Sequence, residues 1–421
     1  MLGKEINRKK VIVIGGGFAG IQLVKNLDHD LFEILLIDKI NHHQFQPLFY
    51  QVATSQLEPS SISFPLRHVL KGIKNLQIRF AEVLSIDRNA NTVNTTIGSF
   101  LYEHLVIAIG CKTNFYNNES IEKHSFSLKT TYDAIAIRNH ILMTFEQVVS
   151  ATAPEKEALL NFVIVGAGPT GVELAGALSE IKKDILPKDY PGIDFSKFKI
   201  IVVEGSKNTL NSMSDKAKKA SRIYLEKMGV IIYTEAFVDN YDGSVIAFKN
   251  GQQIKTKTVI WAAGVTGNTI EGLPDSCYAN GNRIKVNRIN KISGCENIYA
   301  VGDIAFMETP LYPNGHPQLA NVAINQAKNL TKNLRRLLQN DPMIDFEYKD
   351  LGSMATIGRN KAVVDLPFVK FKGYIAWLTW MFLHLMLILS VKNKLIIFIN
   401  WALAYITKDT SLRLILTRNK K

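Results

Sequence analysis

The chain has 421 residues, enough for two or three domains with sizeable cores, and its 47% apolar content is ordinary for a globular protein. A net charge of +13 points to nucleic acid, an anionic membrane or an anionic ligand as partner. The basic residues are scattered and weighted to the tail rather than striped with aromatics, which argues against nucleic acid. Cys111, Cys277 and Cys295 are far apart and form no C-x-x-C, so a zinc knuckle and a redox dithiol are unsupported, no metal site is expected, and burial is their reading.

The N-terminus, MLGKEINRKK, has no apolar signal core, so a cytoplasmic enzyme domain without a signal peptide is expected. The first unit reads strand (Lys10 to Ile14), glycine turn, helix to about Leu27, strand (Phe32 to Ile37). An irregular aromatic loop follows, NHHQFQPLFYQVAT, then strand-like stretches at Leu76 to Leu84, Thr92 to Ile97 and Leu101 to Ile109. The same order returns: strand (Asn161 to Val165), glycine turn, helix to about Lys183, a loop with Pro187 and Pro191, strand (Lys199 to Val203). It closes on TVIWAAG, Thr258 to Gly264, which matches LVIAIG, Leu105 to Gly110. The pattern is an internal duplication of βαβ plus meander. NIYAVGD (Asn297 to Asp303) is a further strand ending at an acid. From His316 a helical spacing puts Leu319, Val322, Ala323, Gln326 and Leu330 near one face. After Asp341 and Pro342 comes a strand region, FEYKDLGSMATIGRNKAVVDL, and then an apolar tail.

Both glycine turns have the G-x-G-x-x-G form. In Gly15, Gly17 and Gly20 the first glycine permits the tight turn, the second admits pyrophosphate to the backbone, and the third lets helix pack on strand. The helix N-terminus offsets the phosphate charge. Asp38 closes the second strand a little over twenty residues past Gly15, the spacing of a ribose-hydroxyl acceptor. In the second cradle, Gly166, Gly168 and Gly171, the acid is Glu204. An acid there favours a free 2′-hydroxyl, hence NADH over NADPH, although Lys207 lies close by. Two cradles imply two dinucleotides with a hydride passing between them. With a nicotinamide and a flavin, the chain would be a flavin reductase. Glu173 falls just past the last glycine of the second cradle, where it reads either as helix-terminus electrostatics or as a group at the nicotinamide end.

NHHQFQPLFYQVAT, GAGPTGVELAG, VIWAAGV and NIYAVGD, in this order, resemble the type 2 NADH:quinone oxidoreductases over nearly the whole chain. The resemblance implies an α/β protein of two nested Rossmann-like domains, of the pyridine nucleotide-disulfide reductase kind, with C-terminal membrane-associating helices. By it, residues 1–120 and 285–345 form the FAD domain, 121–284 the NADH domain, and 346–421 the C-terminal strand region and anchor. It implies noncovalent FAD on Gly15, Gly16, Gly17, Phe18, Ala19, Gly20, Asp38, Lys39, Val83, Gly110, Asp303, Ala320, Asn321 and Lys392. It implies NADH on Gly166, Gly168, Gly171, Glu204 and Gly264, with Glu173 as the catalytic group. The activity implied is hydride transfer from NADH to FAD and two-electron reduction of a membrane quinone, without proton pumping. The family's A-Q-x-A-x-Q quinone stretch falls on Ala320 to Asn325, followed by Gln326. Asn321 and Asn325 stand where the family has glutamines, which shortens the amides by one methylene and bears on the quinone contacts.

In the tail, Tyr374 to Val391 is about as long as the shortest membrane span, and Leu395 to Ile406 is too short. Trp377, Trp380, Trp401 and Tyr405 suit a membrane interface, and Lys392, Lys394, Lys408, Arg413, Arg418, Lys420 and Lys421 would adhere to anionic lipid. A span and a pair of interfacial helices both remain open from the residues alone. The resemblance implies the second: a peripheral protein on the cytoplasmic side of the cell membrane, with homodimers through the C-terminal region. Two alternatives are a sulfide:quinone oxidoreductase-like flavoenzyme, which would need a cysteine pair beside the flavin, and a non-catalytic, membrane-associated NADH- and flavin-binding protein.

Overall fold

The computed structural model describes residues 8–410 and 412–415. The start of the N-terminal stretch and the tail cations Arg418, Lys420 and Lys421 lie outside them. The chain divides into two units: Met1–His43, Phe64–Lys112 and Val265–Lys349 in the first, and Gln44–Ser63, Thr113–Gly264 and Asp350–Lys421 in the second.

The first unit is built on a five-stranded parallel sheet in the spatial order Ile298–Ala300, His104–Ile107, Lys9–Ile14, Phe32–Asp38, Leu76–Phe80. Its central strand, KKVIVI, has Val11 to Ile14 all buried. A strand covered on both faces must be apolar at successive positions rather than alternating. The helices Phe18–Asn26 and Ala320–Leu338 pack against one another over this sheet, with Leu23, Val24, Ala327, Leu330 and Leu334 in one core. An antiparallel meander, Val83–Asp87, Thr92–Thr95 and Gly98–Leu101, adjoins it.

The second unit repeats the plan. Its parallel sheet runs Phe126–Ser127, Thr258–Trp261, Asn161–Val165, Lys199–Val203, Val230–Tyr233, and it too has a meander, Val238–Tyr241, Val245–Phe248 and Gln253–Lys255. In both units a glycine turn follows the central strand, where phosphate-binding turns of doubly wound sheets sit.

The C-terminal part of the second unit is a three-stranded antiparallel sheet, Ser353–Gly358, Lys361–Asp365 and Lys370–Lys372. It lies against the helix Pro169–Asp184. A side chain at Gly176 would overlap the Ile357 carbonyl, so that glycine sets the close approach. Two helices follow, Tyr374–Leu387 and Val391–Thr407.

Three sequence expectations change. The apolar run from Tyr374 to Val391 is not one helix: it breaks at Ile388 to Ser390, giving helices of 14 and 17 residues. At 1.5 Å per residue these reach roughly 21 and 26 Å, less than a hydrocarbon core of about 30 Å. Among the described residues no helix is long and apolar enough to cross a membrane. The loop expected to be irregular contains a buried helix, Phe49–Ala53. The stretch read as one strand from Leu76 to Leu84 is two, divided at Ala81 and Glu82.

Candidate active site

The two cradles are built alike from different sequences. Gly15 (φ +102°) and Gly166 (φ +105°) turn the chain in the region that glycine favours. A Cβ on either would also meet a neighbouring carbonyl, Ala108 at 2.5 Å or Ala262 at 2.6 Å. Side chains at Gly20 and Gly171 would overlap the carbonyls of Gly15 and Gly166, so those glycines serve helix–strand packing. At Gly17 and Gly168 a Cβ would meet nothing within 4 Å. The backbone is bare there and faces open space, as a pyrophosphate requires. That open cradle is the observation by which the first unit fits FAD and the second fits NADH.

Each acid braces its own turn. Asp38 Oδ2 accepts the Gly16 N–H, and Oδ1 accepts that of Ile40 at 2.8 Å. Glu204 Oε2 accepts the Ala167 N–H at 2.7 Å, and Oε1 that of Ser206 at 2.8 Å. Burial pushes the Asp38 carboxyl above its usual range, against the pull of the Ile40 and Gly16 N–H groups. His43, overlooked in the sequence, reinforces the first turn: it is buried, and its Nδ1 donates to the Gly16 carbonyl at 3.3 Å. Burial lowers its pKa to about 4, so it stays neutral.

Elsewhere in the first unit, Asp303 lies in the short turn Gly302–Ile304. Its carbonyl accepts from Arg283 Nε at 3.1 Å and from the Cys111 thiol at 3.3 Å. Gln326 is fully buried, and its side-chain carbonyl accepts the Gly302 N–H at 2.8 Å. Its amide nitrogen has no protein acceptor, a leftover donor beside Asp303 that a bound group could use. Ala320 and Asn321 open the helix Ala320–Leu338, with Asn321 and Asn325 half-buried. Phe18 and Ala19 begin the first cradle's helix. Lys39 is exposed, 3.8 Å from Glu82, Val83 is half-buried, and Gly110 has φ +64°. Cys277 and Cys295, distant in sequence, share one buried core as free thiols.

In the second unit Gly264 (φ +88°) sits against Tyr116, and Lys392 is exposed in the first turn of the last helix. Glu173 is the fifth residue of the helix Pro169–Asp184, just beyond its first turn. It is buried, with one carboxyl oxygen accepting the Thr356 N–H at 3.3 Å. Burial raises its pKa to about 8, against the smaller opposing pull of Thr356 N–H and the Trp380 indole. The carboxyl therefore carries its proton at neutral pH. The Trp380 indole N–H is buried and closes no hydrogen bond of good geometry.

Glu173 opens on a cleft of about 780 Å³, its mouth included, walled by Tyr50, Gln51, Thr356, Trp380, Trp401 and Tyr405 among others. Trp401 Nε1 donates to Gln51 Oε1 at 2.8 Å, and Gln51 Nε2 donates to the Tyr50 hydroxyl at 2.8 Å. Burial and the neighbouring Glu173 push the Tyr50 phenol well up. His384 stacks on Trp380 at 4.0 Å, its Nδ1 donating to the Trp380 carbonyl, and burial lowers its pKa to about 4. Around Glu173 the wall is thus aromatic and hydrogen-bonded, while the charged lining residues Asp184, Arg359, Lys408 and Asp409, with Glu180, stand farther along the cleft. Tyr50 and Gln51 stood in a quoted motif, but nothing local in the sequence joins residue 50 to residues 356, 380 and 401.

The last helix buries Ile397 and Trp401 on one side and exposes Leu395, Phe398, Ile399, Leu403 and Ile406 on the other. The helix before it likewise exposes Ile375, Leu378, Phe382 and Met386. An apolar stripe turned outward at helical spacing reverses what water favours.

The pyridine nucleotide-disulphide oxidoreductase family model matches residues 9–327, and a model described as the NDH2 C-terminal domain matches 351–408. The chain is 31% identical to the type II NADH:quinone oxidoreductase Ndh of Mycobacterium tuberculosis, over 95% of this chain and 89% of that one. It is 31% identical to the type II NADH:quinone oxidoreductase of Staphylococcus aureus, over 85% and 89%. The solved structure of NDH2 from Plasmodium falciparum in complex with NADH superposes with a TM-score of 0.89, at 21% identity, over 97% of this chain and 100% of that one; this likeness speaks to the fold. With two dinucleotide cradles, a C-terminal domain matching the NDH2 model, and relatives aligned along nearly its full length, the chain belongs to the type II NADH:quinone oxidoreductases.

Proposed function

We propose that the chain oxidises NADH and reduces a membrane quinone to quinol, moving electrons without pumping protons. FAD in the first cradle supplies the two-electron acceptor that links the two substrates. Gly15 to Gly20, Asp38 and Asp303 would hold it, with Gln326 Nε2 as a further donor. Gly166, Gly168, Gly171 and Glu204 would hold NADH, with Glu204 accepting from the ribose hydroxyls and repelling a 2′-phosphate.

The observation that carries the reading is Glu173: a buried carboxyl, protonated at neutral pH, at the wall of an aromatic cleft whose outer lining comes from helices with outward-facing apolar stripes. Quinol formation needs protons delivered where water is scarce, and a carboxyl with a pKa near the working pH suits that task. Tyr50, Trp380 and Trp401 would give a planar ring apolar walls and polar edges. In the first unit, Asn321 and Asn325 are the side chains assigned to the quinone by this proposal. The two C-terminal helices would lie in the bilayer surface, on the cytoplasmic side, with their apolar stripes in the lipid. The experiment is steady-state oxidation of NADH and of NADPH by the purified protein with a soluble quinone analogue. Quinone-dependent turnover that favours NADH supports the reading, and turnover equal with and without quinone refutes it.

A further inference from the structure

We propose that the helix Pro169–Asp184 carries the proton entry path for quinol formation, with Asp184 at the mouth, Glu180 midway and Glu173 at the inner end. The inference rests on the quinone-reductase reading above. The stoichiometry demands such a path: NADH + H⁺ + Q → NAD⁺ + QH₂. The hydride brings two electrons and one proton, so one further proton must come from water in every turnover.

Glu173, Ala177, Glu180, Ile181 and Asp184 all line the cleft, and their spacing puts them on one face of the helix. Glu173 and Glu180 are about 10 Å apart along the axis, and Glu180 and Asp184 about 6 Å. Between the first two the helix presents Ala177, which leaves room in the cleft for water to bridge them. Asp184 has 20% of its side chain exposed, while Glu173 is 8% exposed. The three carboxyls thus descend from solvent to the buried end. A proton leaving Glu173 for the acceptor leaves a carboxylate. Glu180 restores it through water, and Asp184 or solvent restores Glu180.

The charges around Glu180 come from every side. On its own helix are Glu173 and Asp184, and from the strand pair come Arg359 and Lys361. Lys408 and Asp409 line the mouth, and the Tyr50 phenol lies at the inner end. Arg359 organises the outer half. Its backbone N–H donates to Glu180, its guanidinium pairs with Asp184 at 3.6 Å and donates to the Ala404 carbonyl at 3.2 Å, and it sits over the Tyr405 ring. Burial, the largest influence on Glu180, raises its pKa, opposed by Arg359. Its second carboxyl oxygen is left to exchange a proton.

The test uses full-length, flavin-loaded Glu180→Gln, which keeps an oxygen for the Arg359 N–H but cannot relay a proton. Three rates are compared with wild type: flavin reduction by NADH in stopped flow, NADH oxidation by ferricyanide, which takes electrons without protons, and NADH oxidation by a soluble quinone. The path predicts that the first two are unchanged. It predicts that the quinone rate falls about tenfold or more, most at alkaline pH, with a larger solvent deuterium isotope effect. A quinone rate and pH profile equal to wild type overturns the path, and so does a loss shared equally by ferricyanide, which indicates a structural role. If the Gln variant does not accumulate with flavin, Asp184→Asn takes its place: the path expects the same alkaline loss, and an unchanged profile overturns it. A wild-type protein that reduces ferricyanide but not quinone overturns the underlying reading instead.

Discussion

Replacing Glu173 with Gln substitutes a near-isosteric neutral group for a carboxyl that the fold holds protonated. The folded pKa is raised from 4.5 to about 8 by burial. For such a group the native state retains its proton while the unfolded chain releases one above about pH 4.5. Its contribution to stability is therefore complete below the unfolded value, and is lost as pH rises through the folded value. The full shift corresponds to a ceiling of roughly 5 kcal/mol, at about 1.4 kcal/mol per unit. Between about pH 5 and pH 8 the expected loss is ~3 kcal/mol. Glutamine does not titrate, so the Gln variant lacks this loss. Near pH 5 the two proteins should unfold alike, and near pH 8 the variant should be the more stable by ~3 kcal/mol. Tryptophan fluorescence during urea unfolding reads the right region, because Trp261, Trp377, Trp380 and Trp401 all belong to the second unit. Quinone turnover should drop in the same variant while flavin content is kept. Stability curves that run parallel from acid to alkaline pH would refute the claim that Glu173 is a protonated carboxyl.

Gly17→Ala should fold normally yet lose flavin, since its Cβ enters the open cradle, whereas Gly20→Ala should lower the melting temperature because it overlaps the Gly15 carbonyl; flavin absorbance and thermal melts separate the two. Glu204→Ala removes the brace on the Ala167 and Ser206 N–H groups and the acid facing the ribose, so the KM for NADH should rise about tenfold, with the NADH-to-NADPH preference narrowed; steady-state kinetics with both nucleotides decide this. Trp401→Phe breaks the hydrogen bond to Gln51 and should cost about 1–2 kcal/mol of stability, read by denaturant midpoint. Phe398→Glu with Leu403→Glu charges the outward stripe without touching the buried side of the helix, and should abolish sedimentation with anionic lipid vesicles.

Both cradles were legible because each is local. One strand, three glycines and a helix, from Lys9 to Asn26 and from Asn161 to Asp184, carry their own geometry, and the acids Asp38 and Glu204 follow at the end of the next strand. The duplication was legible for the same reason: four of the five strands follow one order in both sheets, and the edge strand beside them comes last in the chain in the first (Ile298–Ala300) and first in the second (Phe126–Ser127). Glu173 could be singled out by its place after the glycines, but not its burial: that comes from Thr356 and Trp380, nearly two hundred residues on. The break in the apolar tail was hidden because Ile388 and Leu389 are as apolar as their helical neighbours; the helix ends where Ile388 turns to extended backbone and Ser390 precedes the next one. Gln326 read as a member of the helix face of Leu319, Val322 and Leu330 and as part of the quinone stretch, and only the fold ties its carbonyl to Gly302.

The measurement closest to the central claim is anaerobic titration of the purified, yellow protein with NADH, followed by addition of a soluble quinone. The account predicts that about one equivalent of NADH bleaches the flavin absorbance and that one equivalent of quinone restores it. A protein that purifies without flavin and binds none on incubation with FAD would contradict it, as would a bleached flavin that quinone fails to reoxidise.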